Sequence, residues 1–251
     1  GGGPSGATAA DELAKRGRKV LLLDRDGRIK PCGGAIPPRA IRDYQIPDHM
    51  LVAKIRSARM VSPSDKQVDI PIDNGYVGMV DRAEFDEWLR ARAESHGATR
   101  RIGSFETLTR DADGTALIHY KPRDGASTTV RAKSVIGADG AKSLVARQQV
   151  KGADRMKFVF AYHEIIRAPK NLNVDYDAKR CDVIYRGALS PDFYSWIFPH
   201  GDTVSVGTGS AHQGFSMRSS VTSLRESTGL AACETLRREG APIPMKPLKR
   251  W

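Results

Sequence analysis

A chain of 251 residues, 40% hydrophobic and 27% charged, is long enough to bury a large core and has the balance of a soluble globular protein, not a disordered one. Its net charge is +11, from 40 Lys and Arg against 29 Asp and Glu, which suits a phosphorylated cofactor, a diphosphate substrate, an anionic membrane surface or nucleic acid. The basic residues are scattered without interleaved aromatics, which argues against nucleic acid. Cys32, Cys181 and Cys233 form neither a metal pair nor a disulfide framework and favour a reducing cytoplasm. The histidines show no metal-ligand spacing, and no apolar run approaches the roughly 18 residues of a membrane span.

The chain opens on Gly1-Gly2-Gly3-Pro4-Ser5-Gly6, and Gly1, Gly3 and Gly6 have the G-x-G-x-x-G spacing. That spacing lets a backbone turn sharply and approach a pyrophosphate, which then meets the N-terminus of the next helix. A helix is predicted from Ser5 to Arg16, with Ala7, Ala9 and Ala10 on its close-packing side and Gly17 as its stop. Lys19 to Asp24 reads as a buried parallel strand ending in a carboxylate. Asp24 stands 18 positions after Gly6 (24 − 6), where a dinucleotide fold places the acid that accepts ribose hydroxyls.

Residues 25–38, rich in Gly and Pro, read as a long loop. Alternation predicts strands at 54–61, 67–72 and 76–80. A helix follows from Asp81, as N-cap, to a stop at Gly97, with Phe85, Trp88, Leu89 and Arg92 near one face. An antiparallel meander is expected over 105–110, 115–121 and 127–132, with Asp113-Gly114 and Asp124-Gly125 in its turns. Residues 134–138 read as a strand running into Asp139-Gly140 and a helix. Further strands are expected at 157–167, 181–187, 193–199 and 203–209, then short helices over 219–227 and 231–238 and an extended stretch over 241–251.

A nicotinamide dehydrogenase would continue βαβ repeats after its second strand. Here mixed β structure intervenes before VIGADGAKSLVAR. That order resembles the flavoprotein monooxygenase and reductase superfamily, whose second fingerprint places Asp-Gly after a strand, followed by Ser and Arg; here these are Asp139, Gly140, Ser143 and Arg147. The two fingerprints lie 133 positions apart (139 − 6), and together they point to FAD. The stretches KPCGGAIPP, DRAEFDEWL, YSWIFP and PIPMKPLKRW narrow the resemblance to the geranylgeranyl reductases, in the branch serving chlorophyll and bacteriochlorophyll synthesis. It runs along the whole chain.

The resemblance implies an FAD enzyme that uses NADPH to saturate three of the four double bonds of a geranylgeranyl chain, giving a phytyl group. The chain is either free as the diphosphate or esterified to the pigment. By the same resemblance, Gly1, Gly3, Gly6, Asp24 and Arg25 hold the ADP half of FAD. Arg82 contacts the cofactor near the crossover, and Asp139 with Gly140 meets the pyrophosphate or ribitol. Tyr194, Trp196, Phe198 and Pro199 line the lipid pocket, which must be apolar because a prenyl chain offers no hydrogen bonds. Strand alternation puts Tyr194, Trp196 and Phe198 on one face and Ser195 and Ile197 on the other. Cys32, Gly33 and Gly34 are the candidate catalytic residues. The glycines permit close approach to the flavin and movement of the loop, and the thiol positions substrate or supplies a proton.

The expected fold is α/β: a Rossmann-like FAD/NAD(P)-binding domain (1–52 and 81–150) interleaved with a β-rich substrate domain (53–80 and 151–215). A helical and extended return segment follows (216–251). A complete member of the family would begin with a strand before Gly1 and continue past Trp251 into a Gly-Asp-Ala-type motif, so the chain reads as a fragment cut at both ends. The expected partner is a prenyl lipid or prenylated pigment, with no nucleic acid and no metal. The expected location is cytoplasmic, peripheral at the photosynthetic membrane. Three alternatives stand beside this reading. A flavin-dependent monooxygenase of the same superfamily would consume oxygen with substrate. A non-catalytic prenyl-lipid-binding protein would carry no flavin that NADPH bleaches. An electron-transfer flavoprotein would need the cysteines of an iron–sulfur cluster.

Overall fold

The computed structural model describes residues 1–25, 31–170 and 175–248. In chain order they form α1 (Pro4–Lys15), β1 (Leu21–Asp24), β2 (Ala35–Ile36), α2 (Pro38–Asp43), β3 (Ala53–Ile55), β4 (Ser57–Val61), β5 (Gln67–Pro71), β6 (Val77–Met79) and α3 (Arg82–Ser95). There follow β7 (Thr99–Arg110), β8 (Ala116–Pro122), β9 (Thr128–Ala132), α4 (Leu144–Gln149), β10 (Phe158–Arg167), β11 (Arg180–Ile184), β12 (Ser195–His200), β13 (Thr203–Ser210), α5 (Met217–Ser227) and β14 (Thr235–Pro244). The described residues fall into two compact units, one built from Gly1–Lys30, Ala83–Lys157 and Pro244–Trp251, the other from Pro31–Arg82 and Phe158–Ile243. The first unit thus ends earlier than the expected 52, because β2 pairs with β6 and carries the segment after the loop into the second unit.

In the first unit, β1 lies parallel to β7, with Leu21 opposite Thr99 and Asp24 opposite Ile102. This pairing extends β7 back to Thr99, six residues before the meander strand expected from alternation (105 − 99). β7, β8 and β9 complete the sheet as the predicted meander. Of the small residues expected on the packed side of α1, Ala7 and Ala10 are buried and Ala9 is half-buried, while Ala14 joins the buried side one turn on. Gly17, at φ +68°, closes the helix, its N–H donating to Ala14 O while Arg18 N–H donates to Leu13 O. Asp11 is buried on α1 and pairs with Lys15 at 2.9 Å, Arg92 at 3.3 Å and His96, which ties α1 to α3. Burial alone would raise the Asp11 carboxyl, but these three partners outweigh it and hold it below the ordinary carboxylate range.

One expected strand is corrected. Residues 134–138 pair with no strand among the described residues, and Val135 and Ile136 are 38% and 58% exposed. An apolar run makes a strand only where a neighbouring backbone accepts its ladder.

The second unit is built on a seven-stranded sheet in the order β14-β10-β13-β12-β11-β4-β5 and a smaller sheet in the order β2-β6-β3. One face of the large sheet carries the core: Ile166, Ile197, Val204 and Val206 pack with Val221 and Leu224 of α5. Ser216 caps α5 by accepting the Ser219 N–H at 3.2 Å. The helix expected over 231–238 is instead a turn over 231–234 followed by the start of β14, the strand that borders β10. Long-range pairing overrides local helix preference here, as it commonly does for short segments.

Candidate functional site

The glycine turn in the first unit is shaped by close backbone contacts. A methyl group on Gly1 would lie 2.1 Å from Ala138 O, and one on Gly6 would lie 1.8 Å from Gly1 O. Those neighbours are main-chain atoms, so only glycine fits. Gly2 is shut in as well, since its methyl would meet Asp24 Oδ2 at 2.7 Å. Gly3 differs, because a methyl there would have nothing within 4 Å. Gly3 is also the N-cap of α1, and no side chain caps that helix. A helix that starts this way offers its first N–H groups and the positive end of its dipole to an anion.

Asp24 closes the other side of the turn. Its Oδ2 lies 3.4 Å from an Arg90 guanidinium nitrogen, which also donates to Gly2 O at 3.2 Å. Asp24, Arg25, Glu87, Arg90 and Arg100 border a small cavity of about 40 Å³. Arg90 lies outside the residues predicted from sequence. It sits 66 positions from Asp24 on another element, and nothing in the local pattern joins them.

The second fingerprint meets the first through its backbone. A methyl on Gly1 would lie 2.8 Å from Asp139 Cα, and one on Gly6 3.1 Å from the Ala138 methyl. The Asp139 carboxylate itself turns to α4, accepting Leu144 N–H at 2.7 Å, Val145 N–H at 3.1 Å and the Ser143 hydroxyl. Burial would raise this carboxyl, but Ser143 and the backbone donors outweigh it and hold it low. Gly140, at φ +91°, faces open space. Arg82 is the first residue of α3.

In the second unit, the Cys32-Gly33-Gly34 loop lies flat against β12. A methyl on Gly33 would touch the Phe198 ring at 3.3 Å, and one on Gly34 would lie 2.7 Å from both His200 Nε2 and Val80 O. Gly34 has φ +66°, its N–H reaches Cys32 Sγ at 3.4 Å, and its carbonyl accepts Val80 N–H at 3.0 Å. Cys32 is exposed. His200 Nδ1 lies 3.0 Å from Phe198 O. Burial pushes the His200 imidazole below its ordinary value, opposed by the carbonyls of Phe198 and Gly33 and by Asp81. His200 was reachable from sequence, because it follows Phe198 by two on the same strand face.

The aromatic side chains of β12, together with Tyr194 just before it, form a ladder. Ring centroids are 6.0 Å apart for Tyr194 and Trp196 and 6.1 Å for Trp196 and Phe198, with Phe193 and Tyr185 flanking Tyr194 at 4.2 and 5.9 Å. Burial raises the Tyr194 phenol, followed by Tyr185 and then Cys32, so thiol and phenol are electrostatic neighbours. Trp196 lies across Gly207, where a methyl would come within 2.2 Å of the indole. The indole N–H donates to Ser205 Oγ at 3.0 Å, and His163 Nδ1 lies 2.8 Å from the same oxygen. Pro199 stands apart from the other three. Alternation places it with Ser195 and Ile197 on the opposite face, where it is fully buried.

If His200 and Phe198 hold the loop down, His200→Ala should release it. Carboxymethylation of Cys32 at neutral pH, followed by peptide mass mapping, is then expected to speed up several-fold. Burial pushes the Cys181 thiol up to about 12, so it serves as an unreactive internal control. An unchanged Cys32 rate would rule out the clamp.

Residues 1–161 match the family model described as an FAD binding domain. The chain belongs to the FAD-binding-domain family. Within it, the chain is 55% identical over 251 residues to the geranylgeranyl diphosphate reductase of Rhodobacter capsulatus, covering 100% of this chain and 63% of that protein. It is 34% identical over 262 residues to the chloroplastic geranylgeranyl diphosphate reductase of Oryza sativa, covering 98% of this chain and 56% of the relative. A crystal structure of a geranylgeranyl bacteriochlorophyll reductase-like protein from Thermoplasma acidophilum superposes with a TM-score of 0.86 at 26% identity, over 98% of this chain and 65% of that one. The chain thus spans less than two thirds of each of these proteins. The α/β fold is that of FAD-dependent enzymes. The first unit also fits the cofactor on its own terms: a glycine turn closed by backbone contact, open space at Gly3, an uncapped helix start and a carboxylate beside the turn.

Proposed function

We propose that the protein to which this chain belongs reduces the double bonds of a geranylgeranyl chain to give a phytyl group, with FAD as cofactor and NADPH as electron source. The observation that carries this reading is the 55% identity over 251 residues to a geranylgeranyl diphosphate reductase. The loop of Cys32, Gly33 and Gly34 on its aromatic ladder supports it, because an apolar chain is bound by ring faces and not by polar groups. In this reading the first unit holds the ADP half of the cofactor and the second unit the substrate.

Gly1, Gly3, Gly6, Asp24 and Arg25 hold the ADP half of FAD, Arg82 contacts it near the crossover, and the backbone of Asp139 and Gly140 meets its pyrophosphate or ribitol. The bound flavin supplies hydride transfer. The chain's own residues do the rest. Tyr194, Trp196 and Phe198 orient the prenyl chain and keep water from it. Cys32 positions the substrate or donates the proton that an isolated alkene needs, having no carbonyl to polarise it. The substrate is the diphosphate or the pigment ester. Among the described residues no helix is long and apolar enough to cross a membrane. A net charge of +11 suits contact with an anionic membrane surface, the source of so apolar a substrate.

Full-length protein incubated anaerobically with NADPH and either substrate form should yield products heavier by two, four and six hydrogens. Cys32→Ala should slow single-turnover reduction while flavin content stays normal. No mass gain with either form would overturn the reading, and substrate-dependent oxygen uptake in air would favour a monooxygenase.

A further inference from the structure

The face of the large sheet that carries the aromatic ladder does not end at β12. Trp196 stands opposite Val183 of β11, Val183 opposite Met60 of β4, and Met60 opposite Val68 of β5. The adjacent row runs the same way, through Cys181 and Ala58 to Ile70. The first row is apolar from the ladder to the outer strand; in the second, Cys181 is already covered by Ile55 and Met79, and only Ala58 and Ile70 lie beyond that cover. Both rows finish in the open, with Val68 56% and Ile70 48% exposed.

The opposite face of these same strands is quite different. There Arg59 is held by Asp69 at 2.6 Å and Asp175 at 2.7 Å, and Arg180 by Asp182 at 2.6 Å. So the hairpin of β4 and β5 sorts its charges to one side and leaves the other bare. Outer strands are normally blunted by charge because an exposed apolar edge invites association. An apolar strip continuous with a candidate site therefore calls for an apolar occupant.

Resting on the reductase reading above, we infer that the part of the prenyl chain beyond the reacting double bond lies across these strands. It passes from Trp196 over Val183 and Met60 and leaves at the open edge over Val68 and Ile70. The dimensions agree. From β12 to β5 there are three strand spacings of about 4.8 Å, roughly 14 Å in all. With carbon–carbon bonds of about 1.5 Å an isoprene unit extends about 5 Å, so the strip accommodates about three units. A four-unit chain with one unit at the ladder fills it, whereas a two-unit chain stops short of β5. The strip thus acts as a ruler for chain length.

The test uses FAD-loaded full-length protein carrying Val68→Asp and Ile70→Asp together. Both positions are exposed, and circular dichroism with a thermal midpoint would confirm the fold. Binding of geranylgeranyl diphosphate and geranyl diphosphate is read from tryptophan fluorescence, independently of turnover. The twenty-carbon ligand is expected to bind about tenfold more weakly in the variant, with the ten-carbon ligand unchanged. Equal affinity for the longer ligand would overturn the strip, as would equal losses for both. So would a change in sedimentation showing that this edge joins two copies of the chain. Failure of the unaltered protein to reduce any prenyl substrate would instead count against the reductase reading, while the length-dependent binding would still judge the strip.

Discussion

Replacing Gly3 with alanine is expected to weaken FAD binding about 100-fold while leaving the apoprotein as stable as before. Gly3 has φ −71°, an angle alanine adopts freely, and the added methyl meets no protein atom within 4 Å. The apoprotein loses a tolerable N-cap residue and gains from a stiffer unfolded chain, two small effects of opposite sign. Bound pyrophosphate would have to give up its approach to the backbone and to the first N–H groups of α1, and about 2.7 kcal/mol corresponds to that 100-fold loss. Gly6→Ala should behave differently. Its methyl would lie 1.8 Å from Gly1 O, and Gly1 is itself pressed against Ala138 O, so the turn cannot yield without separating the two fingerprints. That variant should lose both flavin and several degrees of thermal midpoint. Visible flavin absorbance per mole of purified protein, FAD titration and a melt of the apoprotein distinguish the two outcomes. If Gly3→Ala retained full flavin content, the open space at Gly3 would not be the cofactor's.

A second large effect is expected at Arg225, far in sequence from any fingerprint. Its guanidinium is buried at the end of α5, where it donates to Glu164, to Thr235 Oγ1 at 2.7 Å and to the carbonyls of Leu230 and Ala231, each at 3.3 Å, and of Cys233. Glu164, 5% exposed on β10, also accepts Tyr162 at 2.9 Å and Arg238 at 3.1 Å. One side chain thereby joins α5, β10 and the crossing into β14. Arg225→Met keeps the stem but strands a buried carboxylate and several carbonyls, at a cost of about 3–5 kcal/mol. For a chain of this size that is a fall of roughly 10 °C in thermal midpoint. Adding Glu164→Leu should recover most of the loss, because the orphaned charge is then gone.

The pH dependence of this network has a definite sign. Burial alone would raise the Glu164 carboxyl, but Tyr162, Arg225 and Arg238 outweigh it and hold it below its ordinary 4.5. A carboxyl lowered in the folded state contributes stability that is complete above about 4.5 and lost as pH falls toward the folded value. Arg225→Met should therefore flatten the acid limb of the stability profile. Denaturant midpoints measured down through that range would show it, and an unaltered limb would argue that Glu164 draws little from Arg225.

Much of the fold is legible in the order of residues. α1 and β1 follow from a local pattern: glycine spacing, a run of small residues, a stop glycine, then an apolar strand ending in Asp24. The ladder on β12 is legible because side chains alternate with a period of two, which puts Tyr194, Trp196 and Phe198 on one face and Pro199 on the other. His200 belongs to the same alternation. Other parts are not local. The segment 134–138 has a strand's composition and no ladder, while 231–238 has a helix's composition and becomes a turn and the first residues of β14.

What the sequence by itself determined is the α/β class, the dinucleotide fingerprint, the flavin implied by its second half and the family. The first three rest on spacings of a few residues and on motif order along the chain, and the family on the resemblance of KPCGGAIPP, DRAEFDEWL, YSWIFP and PIPMKPLKRW. The tertiary structure alone decided that Arg90 grips both Asp24 and Gly2, and that the Asp139 carboxylate serves α4 while its backbone meets the glycine turn. It also decided that the apolar face runs on from the ladder to an open edge. These are pairings between residues tens of positions apart. A chain's local pattern sets which face a side chain takes, but its partner is chosen by the packing of whole elements.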